Sequence, residues 1–353
     1  MNRLVKLNPV FLALLLASAA SLVELAPIAR LLATGHGLAA ILGAGLAYQI
    51  GNALQRWPKA QTTAVLLATI TLGALGLLIL KAGEPWWYLS LACSSWALQG
   101  TRRRLSLASE GHEPSTPQKR TARVLGFVVA TIMPLGVVAI ALWTATICGL
   151  GFARKAVEAQ AQIEARRKLS ALEVIMTLHQ SHYFAYCYAL PLLFSAAALG
   201  GVAWIGLWFA LGWVSYLSAE WLWRRFNPTT TFLVGHVSLT ILLLVMATVL
   251  PGTWATIGLW LASGLGGGTV YCISILHRRA CLAHRRLELA EDIGHLLGVL
   301  ISLAVVVFLG WSAPSLAALG AAWAFAAFVG MAALALKNTR KHLNQPEMES
   351  EKS

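Results

Sequence analysis

Residues 176–188 read MTLHQSHYFAYCY and concentrate groups able to do chemistry inside a strongly apolar stretch. Imidazole titrates near neutrality and can carry a proton. Two imidazoles spaced i, i+3, as His179 and His182 are, can also converge on one metal ion. The tyrosines add hydroxyls and ring faces that suit an organic solute. On a helix turning about 100° per residue, Met176, His179, His182, Tyr183 and Tyr186 share an arc of about 120°, and Phe184 and Tyr188 point away. Such a stripe is costly against lipid and should face a cavity or another helix. Glu24 is the only acid deep within the apolar runs of the first half, six residues before Arg30. A carboxyl there can carry a proton. Gln49 and Asn52 are further candidate cavity groups.

The elements that must position these residues are membrane helices. The 353 residues are 58% hydrophobic and 12% charged, against about 25% charge in soluble domains. Apolar runs occupy 8–33, 36–54, 61–81, 86–100, 123–153, 171–198, 202–223, 230–250, 254–276, 289–310 and 314–336. Most are long enough to span the hydrocarbon layer as helices. The start imitates a secretory signal but runs on to Leu32, as an uncleaved first helix would. With the N-terminus cytoplasmic, 25 of the 27 lysines and arginines fall on the inner side, and only Arg30 and Lys81 fall outside. That is the positive-inside pattern of a multi-pass protein of a bacterial inner membrane with both termini cytoplasmic. It accounts for the net charge of +13 without nucleic acid. The bilayer itself is the partner of these charges. The charge pattern asks residues 123–153 for an even number of crossings, with the turn at Pro134-Leu135-Gly136. If His179 and His182 follow an entry near Ala171, they lie roughly 12–17 Å deep, close to the midplane. Trp86, Trp87, Trp254 and Trp311 at outer ends, and Trp57, Trp221 and Trp223 at inner ends, read as interfacial anchors.

AYQIGNALQRWPKAQTTAVL at 47–66 aligns with SYLSAEWLWRRFNPTTTFLV at 215–234, an offset of 168 residues. Tyr48 meets Tyr216, Arg56 meets Arg224, and Thr62-Thr63 meet Thr230-Thr231. Two related halves are a transporter layout. The expected organisation is an N-terminal transmembrane bundle at 1–153, a cytoplasmic amphipathic linker at 154–170, a C-terminal bundle at 171–336 and a cytoplasmic tail at 337–353.

The stretch GNALQRWPK, Gly51–Lys59, resembles the loop between helices two and three of the major facilitator superfamily, roughly G-x-L-A-D-R-x-G-R. Gly51, Arg56 and Lys59 keep the glycine and both basic positions. Gln55 replaces the acid and Pro58 the second glycine. The resemblance implies an all-α polytopic fold of about 11–12 transmembrane helices in two pseudo-symmetric bundles. It also implies alternating access and a substrate site between the halves. Gly51, Arg56 and Lys59 would then belong to a cytoplasmic gate, joined by Glu220 with Arg224 and by Asp292 with His295 at inner helix ends.

The expected function is secondary active transport, proton-coupled, of a small organic metabolite or drug, with export favoured. His179, His182, Tyr183, Tyr186, Glu24 and Gln49 are the substrate-binding or proton-coupling candidates. Few buried charges argue against a highly charged organic ion. No cofactor is expected. A metal ion or a chelate such as a siderophore is the second candidate cargo, with His179 and His182 as its ligands. Two non-transport readings remain open: a membrane assembly protein, and an intramembrane His-dependent enzyme. Against the enzyme, the nine histidines form no second histidine box. G-x-S-x-G and H-E-x-x-H are both absent from the sequence. GLGGGTVY at 264–271 lacks the G-K-[ST] ending of a phosphate loop and reads as close helix packing or a bend. His236 reads as a lone, structurally satisfied polar residue. The five cysteines are scattered and read as packing residues.

Overall fold

The computed structural model describes residues 9–54, 69, 71, 73, 85–108, 116–134, 136–141, 143–144, 170–194, 202–249, 251–280 and 284–343. Among them there is no strand. The helices are α1 (Pro9–Ala33), α2 (Leu38–Leu54), α3 (Pro85–Ala108), α4 (Thr116–Ala130), α5 (Ala171–Tyr186), α6 (Leu190–Phe194), α7 (Ile205–Trp223), α8 (Pro228–Thr248), α9 (Trp254–Gly267), α10 (Tyr271–Arg279), α11 (His284–Leu309) and α12 (Ala313–Leu343). One-turn 3₁₀ segments, Cys187–Ala189 and Gly268–Val270, join α5 to α6 and α9 to α10. Six described segments are long and apolar enough to cross a bilayer: Leu14–Ala33, Val202–Trp223, Pro228–Thr248, Trp254–Arg279, Arg286–Leu309 and Ala313–Thr339. The chain is an integral, multi-pass membrane protein.

Local sequence sets the helix ends. Ser170 caps α5: its hydroxyl accepts from Glu173 N, and the Glu173 carboxylate accepts from Ser170 N at 2.7 Å. This reciprocal box satisfies two backbone donors that a helix start leaves orphaned. Asn227 caps α8 by accepting from Thr229 N at 2.9 Å, with Pro228 at the first helical position, where its missing N–H costs nothing. α1 stops at Gly35, whose φ of 75° is open to glycine at little cost.

In hydrocarbon, helices associate by close packing, which small residues permit. α1 packs on α3 and α4, and α2 on α3; α5 packs on α11 and α12, and α8 on α9 and α12. Two seams join the helices before residue 150 to those after 170: α2 on α11, and α4 on α7. At the α4–α7 seam the Phe127 carbonyl lies where a Cβ on Gly206 would sit. Gly294 and Gly298 of α11 similarly admit the Thr177 and Ser181 carbonyls of α5. In GLGGGTVY, Gly264 and Gly268 press on backbone carbonyls of α7 and Gly266 on that of Gly235 in α8, while the 3₁₀ turn bends the element.

A turn falls at 131–134 and helix resumes at 136–141, at the position expected for a turn. Three expectations change. α4 begins at Thr116, seven residues before the apolar run, so Arg123 is a helical residue within it rather than a loop charge. Trp87 is not an interfacial anchor: it is fully buried, whereas Trp86, Trp221 and Trp254 are exposed. The span expected at 171–198 is interrupted at Cys187. Trp57, most of the 61–81 span and the 154–169 part of the linker lie outside the described residues, as does the tail beyond Leu343.

Gly51 is a packing residue. A Cβ there would fall on the Ala92 carbonyl and within 2.9 Å of Trp96 N. Gly51→Val should therefore destabilise the protein by about 1–3 kcal/mol, as overpacking does. Gly258→Ala, which meets nothing within 4 Å, should leave the melting temperature unchanged or slightly raised. Thermal unfolding of the two detergent-purified variants checks this.

Candidate substrate cavity and its polar network

Glu24 sits on α1 with its side chain almost wholly enclosed. Two groups compensate its charge. Arg123 of α4 donates from Nη2 to Oε2 at 3.3 Å. Tyr188 donates from its hydroxyl to Oε1 at 3.0 Å. Tyr188 in turn accepts from Gln49 Nε2 at 2.7 Å, and Gln49 Oε1 accepts from Asn52 Nδ2 at 3.4 Å. This chain of donors crosses from α2, through the 3₁₀ turn after α5, to α1. The Tyr188 ring lies against Gly45, which has no room for a Cβ. A second chain runs beside it. Arg102 Nη1 donates to Gln99 Oε1 at 2.7 Å, Gln99 Nε2 donates to Tyr48 at 3.1 Å, and Tyr48 donates to the Ala20 carbonyl at 3.2 Å. The Arg123 guanidinium stacks over the Trp213 ring, 5.0 Å from its centroid, a cation–π contact across the α4–α7 seam.

The histidines form a cluster. His179 Nδ1 lies 2.9 Å from His236 Nε2, and His236 Nδ1 lies 3.0 Å from the Phe232 carbonyl. His182 Nδ1 contacts the His179 carbonyl. A carbonyl only accepts, so the neutral tautomers follow. His236 carries its proton on Nδ1 and accepts at Nε2. His179 then donates from Nδ1, and His182 donates from Nδ1 to the backbone. His179 Nε2 and His182 Nε2 are left with lone pairs and no partner among the described residues. Nor do the described residues hold a group of three or more His, Cys, Asp or Glu arranged for a metal ion. The cluster is occupied with hydrogen bonds of its own.

Of these groups Glu24, Tyr48, Gln49, Gln99, Arg102, Arg123, His179 and His182 border a cavity of about 320 Å³, and Tyr188 and His236 stand behind them. Its walls come from α1–α5, α7, α9 and α11. Tyr183, Tyr186, Trp213, Tyr216 and Trp260 supply ring surface, and Tyr183 stacks on Trp260 at 6.2 Å between centroids. The lining positions on α2, α3 and α11 lie in the halves nearest the basic turns, and those on α5 run from its middle to its last residue. Phe209 meets Phe127, Phe194 and Trp260, with centroids 5.8–6.4 Å apart, in an aromatic group beside the cavity-lining Trp260.

The structure brings His179, His182, Tyr183, Tyr186, Glu24 and Gln49 together on this cavity. Tyr48 and Tyr216, aligned by the 168-residue offset, both line it. Of the gate candidates, His295 also lines the cavity, its ring 4.2 Å from that of Phe184. Asp292 is buried beside it without lining the cavity, and Glu220 and Arg224 are exposed at the end of α7. Gly51 packs on α3, and Arg56 and Lys59 lie outside the described residues. Phe184 does not point away but reaches the cavity edge. Tyr188, expected to point away from the stripe, does not line the cavity and instead bridges Gln49 to Glu24 from within the 3₁₀ turn. His236 is satisfied, but by His179 rather than alone. Arg102, Arg123, Gln99 and Trp213 join the site without a sequence signal, and hydropathy counts the two arginines as loop charges. A further buried cluster, equally silent in the sequence, lies at the start of α5. There Glu173, fully enclosed, takes Arg286 at 2.8 Å and faces His277 at 3.7 Å.

No protein-family model matches the sequence, and no curated relative does. Solved structures do. The chain is similar to the nucleoside transporter NupG, at 15% identity and a TM-score of 0.68 over 94% of this chain and 99% of that one. It is similar to a bacterial homologue of the iron transporter ferroportin in an outward-facing state, at 15% identity and a TM-score of 0.56 over 92% and 97%. It is also similar to the human organic anion transporter MFSD10, at 12% identity and a TM-score of 0.54 over 92% and 98%. All three have the major facilitator fold. The chain therefore has the all-α fold of major facilitator transporters, the fold that Gly51–Lys59 points to.

If Tyr183 faces the cavity and Tyr188 is locked between helices, single cysteines will separate them. In a background lacking the native cysteines, Tyr183→Cys should react with a charged thiosulfonate reagent. Tyr188→Cys should react at least about tenfold more slowly, the difference between an open and an occluded site. Equal rates would contradict the geometry.

Proposed function

We propose that the protein is a secondary active carrier that moves a small organic solute with protons by alternating access, in an inner membrane with both termini cytoplasmic. The observation that carries this reading is a cavity walled by helices from both sides of two seams and lined by Glu24, a buried carboxylate that Tyr188 ties to the later helices. Its volume and mixed aromatic and amide lining suit a small organic molecule. The fold shared with known carriers supports transport, and the collection of basic residues on one side supports cytoplasmic termini. Glu24 serves as the coupling carboxyl: ionised, it holds Arg123 and Tyr188, and protonated, it no longer offers them a charge. His179 and His182 present lone pairs to the solute or to a proton. The expected gate roles of Glu220, Arg224 and Asp292 belong to this same reading.

For a solute that the purified protein transports in proteoliposomes, Glu24→Gln should reduce accumulation driven by a pH gradient about tenfold or more, a loss of at least ~1.4 kcal/mol of coupling. Exchange without a gradient should continue. Gradient-driven accumulation that survives in this variant would remove Glu24 from coupling. His182→Ala should abolish transport of the same solute while insertion and folding persist, and unchanged transport would take the stripe out of the mechanism.

A further inference from the structure

The cavity carries more donor capacity at one end than its own residues consume. Arg102 borders it and donates to Gln99. Among the described residues it has no carboxylate within ion-pair distance, and Glu24 compensates its charge only from farther off. Arg123 makes a single long contact with Glu24, and its Nε is buried without a partner. Trp213, under Arg123, has a buried Nε1–H that is also unpartnered. Unmade hydrogen bonds of buried donors are costly, and an arginine fork matches a carboxylate. With the histidines neutral, the Glu24–Arg123 pair cancels and Arg102 leaves one positive charge among α1, α3 and α4, while the cavity's other carboxylate, Glu291, is on α11. Elsewhere on the same wall, His179 Nε2 and His182 Nε2 offer lone pairs, with the rings of Tyr183, Tyr186 and Trp260 between.

We infer that the cargo is a small aromatic monocarboxylate bearing a second hydrogen-bond donor. This rests on the carrier reading and names its substrate class. The carboxylate lies against Arg102, Arg123 and Trp213, the ring against the aromatic wall, and a hydroxyl or N–H meets the imidazole lone pairs. Binding transfers the Arg123 N–H bond from Glu24 Oε2 to the cargo's carboxylate. Glu24, losing that bond, takes one proton from water. The loaded cavity then has the charge of the empty one, since one anion and one proton have entered. The amides Gln49 and Gln99 remain engaged with Tyr188 and Tyr48 and hold the site in shape.

Matched pairs test this on the detergent-purified full chain at neutral pH, with tryptophan fluorescence as the binding readout. The probes are 4-hydroxybenzoate against 4-hydroxybenzamide, and indole-3-acetate against indole-3-acetamide. The carboxylates should bind and the amides should bind about 10- to 100-fold more weakly, the worth of charge-assisted hydrogen bonds. Arg102→Gln should erase most of that difference. Should that variant not fold, Trp213→Phe, which keeps the ring and removes Nε1–H, should weaken carboxylate binding several-fold without affecting the amides. Amides binding as tightly as carboxylates, no binding by either member of both pairs, or carboxylate binding indifferent to both substitutions would overturn the inference. Proton uptake measured with a pH dye in weak buffer separates it from the coupling reading. Carboxylate binding without uptake would count against Glu24 as the proton carrier and leave the anion site standing.

Discussion

A carboxylate enclosed among membrane helices has to be compensated, and Glu24 is compensated from two other parts of the chain. An unpaired charge in such surroundings costs several kcal/mol or more. Arg123 on α4 and Tyr188 beyond α5 meet that cost together. Each partner fixes something else. Arg123 brings its guanidinium over Trp213, and so ties α4 to α7. Tyr188 brings Gln49, and so ties the α5–α6 turn to α2. The contacts that make Glu24 tolerable therefore also hold the two sets of helices around the cavity. On the proposed reading, protonating this one carboxyl would weaken both contacts at once, as coupled transport by two rocking halves would require.

The backbone is built to let these contacts form. Glycines at the helix crossings bring carbonyls and rings into positions that a Cβ would deny them, Gly45 for Tyr188 and Gly206 for Phe127 among them. The 3₁₀ turn at Cys187–Ala189 interrupts the α-helix at Tyr188, which there meets Glu24 and Gln49. The other 3₁₀ turn, at Gly268–Val270, bends the wall that carries Trp260 and Ser263. Both irregular segments lie against protein rather than lipid, where their altered hydrogen bonds find partners.

The helical stripe from His179 to Tyr186 is legible in the sequence because periodicity within one helix is a local property. So are the apolar runs, the side on which basic turns collect, and the turn near Pro134. The bridge that Tyr188 makes is not, because its partners Glu24 and Gln49 lie 164 and 139 positions away along the chain. Arg102 and Arg123 look like loop residues because hydropathy marks where apolar sequence ends, not where helix ends. α3 and α4 run several residues further, and a guanidinium reaches farther still. The pairing of His179 with His236 joins residues 57 positions apart, which one sequence does not reveal. Trp87 and Trp86 are adjacent and identical in type, and only the packing of α3 sends one inward and the other out.

If Glu24 couples the proton to the gate, the seam between α2 and α11 opens and closes as that carboxyl gains and loses it. Spin labels at Leu54 and Leu289, both exposed near the seam, would report its width by pulsed electron resonance. Two distance populations are expected, with their ratio shifting as pH is lowered, and Glu24→Gln at high pH should reproduce the low-pH ratio. A single distance, unmoved by pH and by that substitution, would contradict coupling through Glu24.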